Sequence, residues 1–358
     1  MLGFMVLGLA TFMIYTLVRN ALVGIQLSST ETYTGTVELL IPLTSRSEFY
    51  LEPWLKSLEN FRHLTGRLKV HILIEGHHPA LGAWQGLHEK LPFIELHHFT
   101  MIPTNVPAIL WMIDEVSPLI KSDVVILGDA ELVASEYAFI SLARLVHDKQ
   151  KPYFVLPQTA RLSLWGEAIA LLNPTLAFAS VFGFKKYRRN LSHPLLGLSQ
   201  GWMAMPLQLF QDLRLTSRKE KSWKEAISHQ WDREQISFRL VFGEKLLMRY
   251  YPTDFRVQVL QMKIYWEELW CKGNRAGLCL FAVILFIWSF PVICLISHPF
   301  WSFATILLLA IYRFFTKIIF QESIPAVILH PVSCIAWIGT FIWWVTTGLK
   351  SRYGTQGR

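Results

Sequence analysis

The chain has 358 residues, of which 52% are hydrophobic, and its formal net charge is +8. The length and the high hydrophobic fraction indicate a membrane protein with a sizeable soluble part. No RNA- or DNA-binding motif accompanies the positive charge, so we exclude nucleic acid as a partner and expect the charge to attract anionic lipid headgroups.

An apolar segment opens the chain. Residues 2–18 are uncharged and end at Arg19, and they are long enough to cross a bilayer. No basic region precedes this segment and no convincing small-residue cleavage site follows it. We therefore predict a retained transmembrane anchor within residues 1–25 rather than a signal peptide.

A soluble domain is predicted over residues 34–270, where short apolar runs alternate with helical stretches. Strands are predicted at 36–43, 68–75, 93–99 and 123–128, with helices at 48–61, 80–91 and 106–120. This order predicts an α/β domain with a mostly parallel sheet that binds ligands at the carboxyl ends of its strands. Neither a Gly-X-Gly-X-X-Gly nor a Walker A sequence follows any of these strands, which excludes dinucleotide-binding and P-loop domains.

Two acidic residues follow the fourth predicted strand. Asp129 and Glu131 are two positions apart, and such side chains can share one oxygen-preferring cation, Mg²⁺ or Mn²⁺, that holds a diphosphate. The alternative is that both are solvated loop acids. The adjacent pairs His77-His78 and His97-His98 are weaker metal candidates, because their side chains diverge in extended structure and no Cys or acid pattern completes a zinc site.

A second apolar block occupies residues 271–358. Residues 276–296 and 326–348 are predicted to cross the bilayer, whereas 299–320, which contains basic residues, is either a third span or a re-entrant or surface-lying helix. Positive residues flank both ends of the soluble domain and recur in the C-terminal tail. The positive-inside rule places all of them in the cytoplasm, which favours two full crossings and one partial segment.

All cysteines lie in or beside this C-terminal block, and the soluble domain has none. This distribution fits a reducing compartment without a disulfide framework. The residues are Cys271, Cys279, Cys294 and Cys334.

Five segments carry a family resemblance: Ile41-Pro42-Leu43 with Glu48, Ile72 to Glu75, Ile126 to Glu131, Gly197 to Met205, and Trp231 to Gly243. In this order they resemble the inverting family 2 glycosyltransferases, and the membrane organisation is most similar to the ceramide glucosyltransferase-like branch. The resemblance covers nearly the whole chain. It implies a GT-A-like fold. It also implies that Glu75 binds the nucleotide, that Asp129 and Glu131 bind metal and diphosphate, and that Pro42 and Gly201 line the nucleotide-sugar site.

The segment from Trp231 to Gly243 resembles the family's helix that begins with Glu-Asp and ends in Gly. The resemblance implies that Asp232 lies at a helix start and acts as the general base, with Glu234 as the alternative base. An ordinary helix N-cap is the competing interpretation of Asp232.

The family's Gln/Arg-X-X-Arg-Trp motif is only partly present. In the corresponding segment, Met262 to Trp266, the Trp remains and the Arg does not. We assign Lys263 and Trp266 to the acceptor and diphosphate region on this resemblance.

The resemblance implies a membrane-bound enzyme with a cytoplasmic catalytic domain. It would move a sugar from a nucleotide-sugar, a UDP-sugar, to a lipid or lipid-linked hydroxyl by metal-assisted single displacement. A catalytically degenerate membrane scaffold or partner subunit is the main alternative. A transporter ranks below both, because there are few spans and no buried charge pair within them.

Overall fold

The structure is a computed structural model of the chain. It describes residues 2–23, 25–27, 32–43, 66–76, 81–130, 132–159, 201–216, 222–243, 246–249, 275–294, 298–320 and 330–354. It also describes the single residues Trp54, Ser57, Leu58, Phe61, Leu64, His78, Arg256, Val259, Leu260, Met262, Lys263, Trp266 and Ile324. The predicted helix at 48–61 lies mostly outside the described residues.

The described residues form two compact units. One contains Met1–Leu22 and Tyr251–Arg358, and the other contains Val23–Ala160 and the described part of Phe184–Tyr250. The second unit carries all the strands. Its strands are β1 (Ile25–Gln26), β2 (Val37–Leu43), β3 (Leu68–Glu75), β4 (Ile94–Phe99), β5 (Val124–Leu127), β6 (Leu132–Ala134), β7 (Tyr153–Leu156), β8 (Gln158–Thr159), β9 (Trp202–Pro206), β10 (Arg239–Phe242) and β11 (Leu247–Arg249).

Nine described helices precede, separate and follow these strands along the chain. They are α1 (Leu2–Val23), α2 (Leu81–Lys90), α3 (Ala108–Val116), α4 (Glu136–Lys149), α5 (Leu207–Gln211), α6 (Trp223–Arg233), α7 (Arg275–Cys294), α8 (Pro299–Phe320) and α9 (His330–Gly354). The four strands predicted in the first half of the domain are confirmed as β2, β3, β4 and β5, with ends within one residue of the prediction.

The main sheet has eight strands in the order β1-β10-β7-β9-β5-β2-β3-β4. All its pairs are parallel except those of β9, which is antiparallel to both β5 and β7. The predicted α/β architecture with a mostly parallel sheet is therefore confirmed. A smaller sheet has the order β6-β11-β8.

The two faces of the main sheet differ in chemistry because strand residues alternate between faces. On one face, Leu39, Ile72 and Ile126 belong to a hydrophobic core that includes residues of α4. Trp202 lies in this core, with its ring 5.2 Å from that of Phe139. The other face of β2 and β3 packs against α3. That face also carries polar side chains, which are described below.

The helix predicted over 231–243 is wrong. Helix α6 begins nine residues earlier than Asp232, at Trp223, and ends at Arg233. Gln235 adopts a left-handed conformation with φ of 59°, and Ile236 N–H donates to Trp231 O at 2.8 Å, which is the hydrogen bond of a Schellman cap. The β-branched and aromatic residues that follow form β10, which pairs with β7 in parallel.

The predicted membrane segments are helical where the structure describes them. Among the described residues, one helix is long and apolar enough to cross a membrane, over Pro299–Ile318, and shorter apolar helices cover Gly3–Arg19 and Ile335–Thr347. Helix α8 is continuous over 22 residues, about 33 Å at 1.5 Å per residue. The number of crossings stays a prediction.

Candidate active site

Four of the predicted site residues lie at one edge of the main sheet. Pro42 is near the end of β2, Glu75 ends β3, and Asp129 follows β5, so the parallel direction of these strands brings them to the carboxyl edge. Strand β9 runs the opposite way and begins at this edge, just after Gly201. Pro42 is buried within its strand, whereas Glu75 is exposed.

Asp129 is held by two donors on one carboxylate oxygen. Gly201 N–H donates to Oδ2 at 2.9 Å, because the pairing of Leu127 with Met203 places Gly201 opposite Asp129. The Lys224 ammonium donates to the same Oδ2. The side chains of Lys224 and Asp129 are only 6% and 16% exposed, so this ion pair is largely withdrawn from water.

Gly201 allows this approach because it has no side chain. A Cβ at this position would lie 2.4 Å from Phe154 Cζ and 2.6 Å from the carbonyl oxygen of Val155. Both separations are shorter than van der Waals contact. The backbone N–H can therefore reach Asp129 only if residue 201 is glycine or if its neighbours move.

Lys224 is the site residue that the sequence analysis missed. It lies on the buried side of α6, three and seven positions before Ile227 and Trp231, which are also buried. Its ammonium also lies 5.1 Å from the centroid of the Trp223 ring. The helical spacing of Lys224 with these apolar residues was the sequence signal for a site. A lysine on the buried face of a helix requires a charge partner.

Among the described residues, the Lys224 ammonium and the Gly201 N–H occupy Oδ2 of Asp129. A metal ion would have to displace the Lys224 ammonium from Oδ2 or lie beside it, and like charges repel strongly where water is largely excluded. Glu131, the second predicted ligand, lies outside the described residues. The positive charge that faces Asp129 in the structure is that of Lys224.

Asp232 lies on the same helix as Lys224 but at its far end. Eight residues separate the two, which corresponds to about 12 Å along the helix axis. The predicted position of Asp232 at a helix start is wrong, because it lies in the last turn of α6, two residues before the C-cap Glu234. Asp232 is partly exposed.

The predicted acceptor residues belong to the other unit. Trp266 is buried, and its ring lies 4.9 Å from that of Phe341 and 5.7 Å from that of Trp337. The ammonium of Lys263 lies 4.7 Å from the ring centroid of Trp343. Both residues therefore pack against α9.

A second group of ionisable side chains lies in the middle of β2, β3 and β4. Burial would raise the pKa of Glu38, but the nearby His71 and hydrogen bonds from the Lys121 N–H and the Ser122 hydroxyl outweigh burial and lower it. Burial lowers the pKa of His97, and the nearby His71 lowers it further. His71, Glu95 and His97 are close enough together to hold one metal ion.

No family model and no curated protein matches this chain. Among solved structures, the chain is similar to the mannosyltransferase PcManGT from Pyrobaculum calidifontis in complex with GDP-Man and Mn²⁺. Identity is 9%, the TM-score is 0.48, and the match covers 96% of this chain and 99% of that chain.

Two further solved structures are similar at lower scores. The 4-diphosphocytidyl-2C-methyl-D-erythritol synthase from Anaerococcus prevotii has 12% identity and a TM-score of 0.39, covering 63% of this chain and 94% of that chain. TarS 1–349 from S. aureus has 10% identity and a TM-score of 0.39, covering 85% and 91%. At these scores none of the three likenesses assigns an activity to this chain.

Proposed function

We propose that the chain is a membrane-bound glycosyltransferase that moves a sugar from a UDP-sugar to a lipid or lipid-linked hydroxyl at the cytoplasmic face. The observation that carries this proposal is the buried Lys224 ammonium held by Asp129 at the carboxyl edge of a mostly parallel sheet. Ligands of open α/β sheets bind at this edge. A fixed positive charge there suits a donor that carries a diphosphate.

Lys224 supplies the positive charge that the leaving diphosphate requires. Asp129 accepts from the Lys224 ammonium and from the Gly201 N–H, so it fixes the ammonium in place before the donor binds. As the bond between the sugar and the diphosphate breaks, negative charge grows on the phosphate oxygens. A preorganised ammonium stabilises that charge without reorganisation of water.

Asp232 is the proposed general base for the acceptor hydroxyl. It is partly exposed and lies about two turns from Lys224 on the same helix, and a carboxylate that takes the hydroxyl proton must stand apart from the diphosphate in a single displacement. Attack from the face opposite the leaving diphosphate gives inversion at the anomeric carbon. Glu234, at the C-cap of α6, is the alternative base.

The apolar helices support a lipid acceptor, and the basic residues that flank the soluble domain in the sequence support a cytoplasmic location. Along the chain, α1 precedes the catalytic unit, and α7, α8 and α9 follow it. An acceptor dissolved in the bilayer would reach the enzyme at the membrane surface. We assign Lys263 and Trp266, beside α9, to the acceptor side. No step of this mechanism passes through a metal ion at Asp129.

Release of UDP from a panel of UDP-sugars by the full chain in detergent tests this function. We expect Lys224→Met and Asp129→Asn to lower the rate by about 10²–10³-fold, as loss of one transition-state donor does. We expect Asp232→Asn to lower it by about 10²–10⁴-fold. Lys69→Met is the matched control, because Lys69 also pairs with a carboxylate on this sheet but away from the carboxyl edge.

The outcome decides between an enzyme and a scaffold. A rate that is insensitive to both Lys224→Met and Asp129→Asn contradicts the site assignment. A wild-type chain that binds UDP but releases none from any UDP-sugar contradicts the enzyme and supports the catalytically degenerate scaffold.

A further inference from the structure

Two histidines and a glutamate meet on one face of the main sheet, away from the carboxyl edge. His71 lies in the middle of β3 and pairs with Glu95 of β4, and His97 follows Glu95 by two positions. Residues two apart on a strand share a face, so Glu95 and His97 both point to the side of His71. Strand β4 is the last strand of the sheet.

The spacing of the three ligand atoms matches a tetrahedral metal. His71 Nδ1 lies 2.9 Å from His97 Nε2 and 3.3 Å from Glu95 Oε2, and His97 Nε2 lies 3.8 Å from Glu95 Oε2. Two ligands at bond lengths of about 2.0–2.1 Å around a tetrahedral zinc are roughly 3.3 Å apart. The observed separations bracket this value, so one ion would reach all three atoms with sub-ångström movements.

The far side of His71 faces a buried carboxylate, the kind of group that supports many metal-bound histidines. Its other nitrogen, Nε2, lies 3.5 Å from Glu38 Oε2, and both side chains are buried, at 0% and 5% exposure. Lys121 N–H and the Ser122 hydroxyl donate to the Glu38 carboxylate, which fixes it in place. A carboxylate behind a histidine orients the ring and strengthens it as a ligand.

The open side of the group is accessible from solvent. Glu95 and His97 are 36% and 17% exposed, so an ion and a water ligand can reach them. Lys69 contacts Oε1 of Glu95, which leaves Oε2 directed to the imidazoles.

We propose that His71, Glu95 and His97 form a zinc site that joins the edge strand β4 to β3, with a water molecule as the fourth ligand. Two imidazoles and one carboxylate suit Zn²⁺ better than Mg²⁺, which prefers oxygen ligands only. Zinc replaces the hydrogen bond between the two rings. The site is separate from the proposed glycosyltransferase centre and does not depend on it.

Zinc titration of the full chain, purified in detergent with a histidine-free tag and dialysed against chelator, tests the site. We expect one zinc per chain, a rise in melting temperature with zinc, and cobalt absorption bands typical of tetrahedral coordination. His97→Gln and Glu95→Gln each weaken binding by more than about 100-fold. His98→Gln is the matched control, because His98 is exposed and hydrogen-bonds Gly76 O.

Each result bears on the proposal directly. Zinc binding that His98→Gln retains and His97→Gln loses supports the site. A wild-type chain without a zinc-dependent shift, or a His97→Gln chain that binds zinc as the wild type does, overturns it and leaves a hydrogen-bonded histidine pair.

Discussion

Two carboxylates of the same sheet each hold a lysine, and their surroundings differ. At the carboxyl edge, Asp129 and Lys224 are 16% and 6% exposed, whereas on the mid-strand face Glu95 and Lys69 are 36% and 40% exposed. In addition, Lys224 and Gly201 meet on a single oxygen of Asp129, while Lys69 uses only Oε1 of Glu95.

The difference supports the two proposals, an anionic ligand beside the buried pair and a cation beside the exposed one. A buried ammonium cannot leave Asp129 without a large desolvation penalty, so it stays as a permanent positive charge. An exposed lysine beside Glu95 contributes little and exchanges readily with water. A carboxylate by itself therefore does not predict a metal site. The burial of its basic partner decides whether a cation can replace that partner.

Breaking the buried pair should have the largest effect. Lys224→Met leaves an uncompensated carboxylate, and we expect the free energy of unfolding to fall by about 3–5 kcal/mol. The double variant Lys224→Met/Asp129→Leu should recover most of this loss, because it removes both charges. Chemical denaturation in detergent measures all three chains.

A double variant as unstable as Lys224→Met would contradict the assignment of the loss to the unpaired charge. In that case the packing of the lysine stem against Trp223, and not the ion pair, would stabilise the helix.

A chelator should affect the proposed zinc site but not the site at Asp129. Removal of zinc should lower the melting temperature by an amount that corresponds to the binding energy, about 2.7 kcal/mol for zinc at 100 times its dissociation constant. UDP release should not change, because the positive charge at Asp129 belongs to Lys224. A chelator that abolishes UDP release, with recovery on addition of Mg²⁺ or Mn²⁺, would show that Asp129 requires a metal.

Gly201→Ala should destabilise the carboxyl edge by about 1–3 kcal/mol. The new methyl group would overlap Phe154 and the Val155 carbonyl, so β9 must shift and its N–H must leave Asp129. Thermal unfolding and UDP release should both decline. Gly86→Ala is the control: nothing lies within 4 Å of a Cβ there, and alanine in a helix should stabilise by up to about 1 kcal/mol.

Lys69→Met should have the smallest effect. Exposed ion pairs contribute about 0–1 kcal/mol and are screened by salt, so the melting temperature should stay close to that of the wild type. Zinc affinity should rise slightly because a positive charge near the ion is removed. A large loss of stability would mean that the two lysine pairs are equivalent, which would contradict the comparison.

The sequence was sufficient to predict strands β2 to β5 and the presence of acidic residues at one sheet edge. Alternating apolar runs gave β2 to β5 directly, and the parallel order placed Glu75 and Asp129 at the same edge. The helix predicted at 231–243 was wrong because the chain turns at Gln235, with no glycine to signal a helix end, and then pairs as β10 with the distant strand β7.

The sequence contained a pattern for each of the two lysine-bound sites, but neither pattern was sufficient to identify its site. Lys224 was in helical register with buried residues, yet its partner Asp129 is 95 residues away and only the fold joins them. The histidines were ranked low as metal ligands because adjacent side chains diverge in a strand. They do diverge: His97 approaches His71, and His98 approaches Gly76. The informative spacing was instead Glu95 to His97, two apart on one strand, and the third ligand came from the neighbouring strand.

The reversed strand β9 gives the edge a mixture of hydrogen-bonding groups that a purely parallel sheet does not have. Parallel strands present carbonyl oxygens where they end, and these acceptors repel an anionic ligand. A strand that starts at the same edge presents a donor, here the Gly201 N–H. A backbone amide carries no titratable proton, so the donor in this hydrogen bond to Asp129 is the same at every pH at which the protein folds.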